Sequence, residues 1–272
     1  MLQYIWLIPL GLLIGTLGTL IGAGGGFVLL PVLLLLYPGA DPETVTSISL
    51  AVVFLNALSG SWAYARMRRI DYTSGLLFAA ATIPGAILGA LSTGYMPRRL
   101  FDALFGVLMV AASVYLLIDG HGDPKGDRAR SGSLKRCRLI EADGTVHVFS
   151  YNLKLGMALS LFVGFVSSLL GIGGGIIHVP ALVSLLNFPV HIATATSHFI
   201  LAVMALTGTV VHILSGSFAH GGVHRTLYLG IGVLLGAQAG AFFSSRVHGK
   251  WIIRSLAIAL GFVGVRILLM AW

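Results

Sequence analysis

Acidic residues and cysteine are scarce in this sequence. The 272 residues contain one cysteine, Cys137, and nine Asp and Glu, none of which lies beyond residue 150. A single cysteine excludes an internal disulfide and every CxxC metal or redox motif. Because a cation pathway through a membrane normally needs buried carboxylates, the lack of acids in the second half argues against transport of metal ions or organic cations.

Charged residues of both signs are few, at 10% of the chain, whereas hydrophobic residues make up 57%. A soluble core is filled at ordinary composition, so the sequence predicts a polytopic membrane protein. The formal net charge of +8 comes from 17 Lys and Arg, nearly all in short connections between apolar runs, where topology signals occur. This placement excludes nucleic acid as a partner and indicates a lipid bilayer; a homo-oligomer is compatible with the sequence.

A glycine-rich motif occurs twice. Residues 22–31, GAGGGFVLLP, recur 149 residues later as residues 171–180, GIGGGIIHVP. Residues 22–26 are termed the first glycine loop and residues 171–175 the second glycine loop. Glycine in a helix costs roughly 1 kcal/mol relative to alanine, so three adjacent glycines predict a break in a membrane helix. Irregular backbone at that depth is tolerated only where it packs on protein or lines a cavity.

The apolar runs form two similar halves, residues 1–119 and 151–272, separated by a polar insert at residues 120–150. Each half is predicted to begin with a broken or re-entrant helix pair around its glycine loop and to continue with three crossings of about 20 residues. The predicted helices are residues 4–20, 27–37, 45–65, 72–95, 100–118, 155–170, 176–187, 192–214, 227–245 and 252–270. The predicted fold class is therefore an all-α polytopic membrane protein built from two inverted structural repeats, with a small polar insert between them.

The orientation of the halves depends on the broken helix pairs. If each pair contributes no net crossing, each half crosses three times, and the two halves are inverted relative to each other, as in many secondary transporters. If each pair instead crosses once, the halves are parallel. Lys and Arg are concentrated on the side of the insert, which places the insert in the cytoplasm.

The insert is predicted to contain a β-hairpin. Residues 137–142 and 145–149 read as two short strands around Asp143-Gly144, which is a good signal for a type I′ turn. The residues of the insert that precede these strands are rich in Asp, Gly and Pro and are predicted to be flexible.

A small anion is the solute that best fits the polar groups of the membrane segments. No Lys or Arg lies deep in a predicted span, so an anion has to be held by neutral donors, and helix N-termini that follow a break supply free amides. At a shift of 150 residues, Thr46-Ser47 aligns with Thr196-Ser197, although such hydroxyls often bond to their own helix. The candidate binding residues are Gly24, Gly25, Gly26, Thr46, Ser47, Gly173, Gly174, Gly175, Thr196 and Ser197.

Two histidines lie next to these candidates. His178 follows the second glycine loop and His198 follows Ser197. Histidine titrates near neutral pH and carries protons where carboxylates are missing, so both are candidates for proton coupling. The alternative is a neutral, hydrogen-bonded core histidine. No cofactor is predicted, and no histidine spacing indicates a metal site.

Small residues also recur in the later helices of each half. At a shift of 151 residues, Gly85 and Gly89 align with Gly236 and Gly240. Glycines four residues apart allow two helices to approach closely. These four positions are therefore interpreted as helix-packing sites rather than as part of the binding site.

The doubled motif, in two apolar halves, resembles the sulfite exporter TauE/SafE family of bacterial membrane permeases. The pattern is G-x-GGG-x4-P in residues 22–31 and 171–180, each followed about fifteen residues later by Thr-Ser. The resemblance covers both halves but not the insert, which is more basic than the usual family linker. It implies an inner-membrane carrier that exports sulfite or an organosulfonate such as sulfoacetate, and the candidate glycines, threonines and serines above match its pattern.

Two other function classes remain as alternatives. An anion channel differs from a carrier only in its kinetics. An intramembrane serine protease would use Ser59-Gly60-Ser61 or Ser215-Gly216-Ser217 with a histidine within hydrogen-bond reach of the nucleophile. The first of these motifs has no histidine in its half, and the second is expected at a helix end, so the sequence favours a protein that is not an enzyme.

Overall fold

The protein is mostly helical, with one small sheet. The computed structural model describes residues 4–119, 134–218, 222–244 and 250–270, so the first part of the predicted insert, residues 120–133, lies outside the described residues. The helices are α1 (Leu7–Ile21), α2 (Gly26–Leu36), α3 (Pro42–Arg66), α4 (Tyr72–Thr93), α5 (Arg98–Asp119), α6 (Leu153–Leu170), α7 (Gly175–Ser184), α8 (Val190–Leu214), α9 (Gly222–Ser244) and α10 (Lys250–Met270), and the strands are β1 (Leu134–Ile140) and β2 (Val146–Asn152).

Five helices of the described chain are long and apolar enough to cross a membrane, namely α3, α4, α6, α8 and α9. The helices α1, α2 and α7 are apolar but shorter. Both glycine loops interrupt the chain where they were predicted to, so that α1 ends at Ile21 and α2 begins at Gly26, while α6 ends at Leu170 and α7 begins at Gly175. The predicted helix breaks are therefore confirmed, and the five long apolar helices are consistent with a multi-pass membrane protein.

The helices on either side of α2 run in the same direction. Gly11 and Gly15 of α1 face Leu229 and Val233 of α9 in rising order, so α1 and α9 are parallel. Ser59 of α3 bonds to the Leu234 carbonyl, and Leu55, one turn earlier on α3, meets Gly230, so α3 is parallel to α9 as well. Because α1 and α3 point the same way, α2 leads the chain back between them.

The second half shows the same arrangement. Gly85 and Gly89 of α4 face Leu161 and Phe165 of α6 in rising order, and α4 lies parallel to α8, since Asp71 bonds to Thr196 and Gly75 contacts Phe199. The helices α6 and α8 therefore point the same way, and α7 leads the chain back.

At the centre of the molecule, α3 and α8 cross in opposite directions. Gly60, near the end of α3, lies against the ring of His198 in the first half of α8, and Gly208, near the end of α8, lies against Leu50 in the first half of α3. These two contacts are equivalent when the halves are exchanged. Gly208 lies 148 positions after Gly60, and His198 lies 148 positions after Leu50. The helices α5 and α10 are also antiparallel, with Gly106 on Leu268 and Ser113 on Gly261.

The repeated glycines of α4 and α9 pack against backbone. A Cβ built at Gly85 would lie 2.2 Å from the Leu161 carbonyl oxygen, and a Cβ built at Gly236 would lie 2.2 Å from the Leu12 carbonyl oxygen. Gly89 and Gly240 make similar contacts one turn later. The interpretation of these glycines as helix-packing sites is confirmed.

The predicted hairpin is present, but its turn is not type I′. The strands pair antiparallel from Leu134 opposite Asn152 to Ile140 opposite Val146. A type I′ turn needs positive φ at both central residues; Gly144 has a φ of 88°, whereas Asp143 is not in the left-handed region. The Gly144 amide donates to the Glu141 carbonyl, and the Glu141 amide donates to the Thr145 carbonyl, which indicates a three-residue loop with a left-handed glycine at its end.

The hairpin is attached to the membrane helices through its inner face. The rings of Phe149 and Tyr151 pack against Phe188 in tilted arrangements, with ring centroids 4.5 and 5.1 Å away respectively. Ser74 of α4 bonds to the Tyr151 hydroxyl at 2.6 Å, and the Cys137 thiol donates to Asp71 at 3.3 Å. Burial raises the pKa of Tyr151 to about 12, and burial together with the Asp71 carboxylate raises the pKa of the Cys137 thiol. Both groups are therefore neutral at physiological pH and serve as hydrogen-bonding anchors.

Candidate functional site

The glycine loops require glycine for conformational reasons. In the first loop Gly22, Gly24 and Gly25 have φ values of 83°, 74° and 80°, a region that other residues enter at a cost. In the second loop the corresponding φ values of Gly171, Gly173 and Gly174 are 66°, 78° and 65°. Each loop therefore ends one helix and reverses the chain into the next within a few residues.

The third glycine of each GGG run serves a different purpose. Gly26 and Gly175 do not have positive φ, but a Cβ built at Gly26 would lie 2.6 Å from the Ile172 carbonyl oxygen, and a Cβ built at Gly175 would lie 2.4 Å from the Ala23 Cα. The two glycine loops therefore touch each other through their backbones. Val53 of α3 and Leu201 of α8 pack over both loops, and all residues of both loops are buried.

Several amides of the loops have no acceptor. Within the described residues, no protein acceptor takes a hydrogen bond from the backbone amides of Gly25, Gly26 and Phe27 in the first half or of Gly173, Gly174 and Ile176 in the second. An unpaired buried amide costs about 1–3 kcal/mol, and these amides lie at helix N-termini, where partial positive charge favours an anion. Unpaired backbone donors therefore lie in both glycine loops, which are in contact with each other.

The hydroxyl groups around the loops follow a repeat of 148 residues. Thr46 contacts Gly171 through its Cα and Cγ2, and Thr194 contacts Gly22 in the same way. The helices α3 and α8 also begin and end 148 residues apart. The structural counterpart of Thr46 is therefore Thr194, and the sequence alignment that paired Thr46-Ser47 with Thr196-Ser197 is wrong by two residues, because this part of the repeat has a different register.

The candidate hydroxyls differ in what they bond to. Thr46 Oγ1 is buried and has no partner among the described residues, whereas Ser47 donates to the Thr44 carbonyl at 2.8 Å. Thr196 accepts from the Asp71 amide at 3.1 Å, and Ser197 donates to the Gly22 carbonyl at 3.4 Å. Of these four residues, Thr46 has the hydroxyl that is available to a ligand.

Sequence reasoning missed Ser49. Its hydroxyl donates to the Gly171 carbonyl at 2.6 Å, which mirrors the bond from Ser197 to the Gly22 carbonyl. The pair ties α3 to the second glycine loop and α8 to the first. A comparison of the halves at a shift of 148 residues would have found it.

The two candidate histidines bond to hydroxyls in the core. His178 Nε2 lies 3.2 Å from Ser160 Oγ. His198 Nε2 lies 3.2 Å from Thr19 Oγ1, and its ring packs edge-on against Tyr64 at 5.6 Å between centroids. Thr19 in turn donates to the Asn56 side-chain oxygen at 3.2 Å, so His198 belongs to a buried polar network one turn before the first glycine loop.

A third histidine forms a chain that sequence reasoning missed. His212 is buried, and its Nδ1 lies 3.3 Å from Ser217 Oγ, which donates to the Glu43 carboxylate at 2.5 Å. In a hydrolytic triad the histidine stands between the serine and the acid, whereas here the serine stands between the histidine and the acid. The arrangement therefore does not activate Ser217 as a nucleophile.

The described part of the chain contains no group of three or more His, Cys, Asp or Glu side chains that could hold a metal ion. The polar groups of the site are instead backbone amides, hydroxyls, the Asn56 amide and histidine rings. This donor set suits an anion held by hydrogen bonds.

The chain is similar along nearly its whole length to known membrane proteins. A family model described as sulfite exporter TauE/SafE matches residues 7–267. The chain is 33% identical over 274 residues to "Probable membrane transporter protein YunE" of Bacillus subtilis (strain 168), with 98% of each protein covered. It is 23% identical over 282 residues to "Probable membrane transporter protein MJ0441" of Methanocaldococcus jannaschii, with 98% of this chain and 97% of that protein covered. No solved structure gives a significant match.

Proposed function

We propose, from the premise that this chain belongs to the sulfite exporter TauE/SafE family, that it exports a small sulfur-containing anion across the bacterial inner membrane. The substrate class is sulfite or an organosulfonate such as sulfoacetate. The relatives are named as membrane transporters, and the described chain has five helices that are long and apolar enough to span a bilayer.

The two halves are proposed to be inverted in the membrane. The antiparallel crossing of α3 and α8, with Gly60 on His198 and Gly208 on Leu50, supports this arrangement. If both helices span the bilayer, the axis that exchanges the halves lies in the membrane plane, as in inverted-repeat transporters. The glycine loops then approach each other from opposite sides and meet within the membrane.

The observation that carries the proposal is the pair of buried glycine loops with unpaired amides from both halves. An anion between the loops would accept hydrogen bonds from these amides and from Thr46 Oγ1, without a buried cation to hold it too tightly for release. Because the loops are buried in this structure, the transport cycle requires the halves to separate on one side at a time.

Counterflow into proteoliposomes tests this function. Vesicles loaded with unlabelled sulfite are expected to accumulate labelled sulfite, and sulfate, thiosulfate and sulfonates used as loading anions should rank the substrates. Saturable counterflow supports a carrier. Single-channel conductance without counterflow would support the alternative of an anion channel.

Thr46→Val tests whether a side chain joins the amides. The change keeps the methyl contact with Gly171 and removes the unpartnered hydroxyl, so sulfite affinity measured by calorimetry is expected to fall about tenfold. The thermal stability of the empty protein should not fall, because the hydroxyl has no hydrogen-bond partner in the described part of the chain. Thr207→Val is the control, since that hydroxyl bonds to Val203 within its own helix. An unchanged affinity in Thr46→Val would remove the hydroxyl from the site.

Proton coupling is proposed as the driving mechanism, with His178 and His198 as candidates from the sequence and His212 as a third candidate. The chain from Glu43 through Ser217 supports His212, because it links a half-buried carboxylate to a ring whose Nε2 has no partner among the described residues. His212→Gln is expected to abolish the stimulation of net sulfite flux by a pH gradient and to preserve exchange. Loss of the stimulation in His178→Gln or His198→Gln alone would assign the coupling to that residue instead.

A further inference from the structure

A cavity of about 500 Å³ lies where the α3–α4 connection, the hairpin turn and the last turns of α9 meet. Its apolar lining includes Ala63, Ala241 and Phe242, and its charged lining includes Arg66, Arg69 and Glu141. The lining of the cavity is thus partly charged and partly apolar. It is separate from the glycine loops.

Arg69 is held in place by the turn that ends α3. Arg68 has a φ of 54°, and the Arg69 amide donates back to the Tyr64 carbonyl at 3.2 Å. The Arg69 side chain is only 13% exposed, and its Nε donates to Glu141 at 2.6 Å. Its Nη1 is buried without an acceptor in the described chain. A buried guanidinium N–H normally finds an acceptor. Because Nη1 is fully buried, an anionic group in the cavity can reach it only when the Arg69 side chain turns toward the cavity.

Glu141 neutralises only one edge of this guanidinium. Its carboxylate is 5% exposed and is shared, with one oxygen on Arg69 Nε and the other on His147 Nε2 at 2.9 Å. The turn that carries it is fixed by the Ala142 amide, which donates to the Met67 carbonyl at 3.0 Å. Asp143, the other acid of the lining, accepts from the Thr145 amide at 2.9 Å. Neither acid reaches the free edge of Arg69.

Arg66 supplies a second guanidinium. Its Cζ lies 3.6 Å from the centroid of the Trp62 ring, a stacking arrangement that fixes the plane and leaves the N–H groups at its edge available. Arg66 makes no ion pair with any residue that the structure describes. Two arginines therefore line the cavity, and each has guanidinium N–H groups that no described residue accepts from.

We propose that this cavity is an access site for the transported oxyanion, which binds between Arg66 and Arg69 and draws the Nη1 of Arg69 toward the cavity. The proposal rests on the proposed function, because it takes the ligand to be sulfite or a sulfonate. Guanidinium groups bind two oxygens of such an anion at once. Tyr64, on the same turn of α3, donates to the Thr19 carbonyl at 2.8 Å, so the cavity lies next to the polar network that leads to the first glycine loop.

The test measures sulfite binding to purified full-length protein in an uncharged detergent by calorimetry. Arg66→Gln and Arg69→Gln are each expected to weaken binding about tenfold or more. Glu141→Gln, which removes a negative charge from the cavity lining, is expected to strengthen it. Arg99→Gln is the matched control, because Arg99 is exposed and lies at the start of α5, away from the cavity. Wild-type affinity in Arg66→Gln, or unchanged affinity in Glu141→Gln, would overturn the proposal.

Transport kinetics separate this site from the glycine loops. Loss of an access site should raise KM for sulfite counterflow at least several-fold in Arg66→Gln with kcat preserved, whereas an effect on kcat alone would contradict the proposal. Nanodiscs of anionic phosphatidylglycerol and of zwitterionic phosphatidylcholine identify the occupant of the cavity, and sulfite is expected to bind in both. Loss of sulfite binding in phosphatidylglycerol alone would assign the cavity to a lipid phosphate and overturn the proposal. If the wild type shows no counterflow but binds sulfite in an arginine-dependent way, the proposed transport fails while the site stands.

Discussion

Gly25→Leu and Gly174→Leu are each expected to reduce sulfite counterflow to the level of empty vesicles while the protein still inserts into the membrane. Both glycines have left-handed φ values, 80° and 65°, which cost other residues roughly 1–2 kcal/mol. A Cβ would also lie 2.9 Å from Ile14 in the first case and 2.5 Å from Ser167 Oγ in the second. The side chain would move the loop and misalign the amides of Gly25, Gly26 and Gly174 that are proposed to bind the anion.

Two control substitutions show whether backbone strain alone, or a leucine side chain alone, causes the loss of counterflow. Gly216→Leu also changes a left-handed glycine, with a φ of 75°, but no atom of the residues that the structure describes lies within 4 Å of its Cβ position. Gly39→Leu adds the same side chain in open space at a residue without positive φ. Both controls should retain counterflow. Normal counterflow in Gly25→Leu or Gly174→Leu, with the protein in the membrane, would exclude the glycine loops as the binding site.

The break in each membrane helix was predictable because glycine is so costly in a helix interior. The doubled GGG run therefore gave the positions of both loops within a residue of the observed helix ends. The different roles of the three glycines in each run were not predictable. Gly24 and Gly25 provide the left-handed turn, whereas Gly26 allows contact with the Ile172 carbonyl, and that contact depends on the other half of the molecule.

The error in the hydroxyl pairing has a simple physical origin. The Thr-Ser pairs at residues 46–47 and 196–197 match in sequence at a shift of 150, but packing against the loops follows a shift of 148, which pairs Thr46 with Thr194. Two residues on a helix correspond to about 200° of rotation, so the wrong pairing places equivalent hydroxyls on opposite faces. Thr196 accordingly bonds to the Asp71 amide near the hairpin.

Contacts between distant segments were outside the reach of sequence reasoning. Ser217 and Glu43 are far apart in the chain, yet they bond at 2.5 Å, because α3 begins where the antiparallel α8 ends. The hairpin was recognisable from its alternating pattern and its Asp-Gly signal. Its loop type was not, because the pairing ends at Glu141 and Thr145, and Ala142 lies in the loop, where its amide donates to the distant Met67 carbonyl.

Gly85→Ala and Gly236→Ala are each expected to destabilise the protein by about 3 kcal/mol or more, since the added methyl group overpacks a contact with rigid backbone. Alanine is the better helix former by roughly 1 kcal/mol, so propensity alone predicts the opposite sign. The Cβ, however, would lie 2.2 Å from the Leu161 carbonyl oxygen in α6 and 2.2 Å from the Leu12 carbonyl oxygen in α1. Because a helix carbonyl cannot rotate away, the whole neighbouring helix has to move. Thermal unfolding in detergent, followed by far-UV circular dichroism, measures the loss.

Gly230→Ala is the matched control for Gly236→Ala on the same helix. Among the described residues, its Cβ would meet only the Leu55 Cδ1 atom, at 2.6 Å, which is the end of a flexible side chain that changes rotamer at little cost. This variant should therefore unfold near the wild-type temperature or above it. Since Gly85 and Gly236 make the same contact in the two halves, their variants should lose similar stability. A wild-type unfolding temperature for both would show that α4 and α9 do not pack this closely, and a loss in only one would show that the halves are not equivalent.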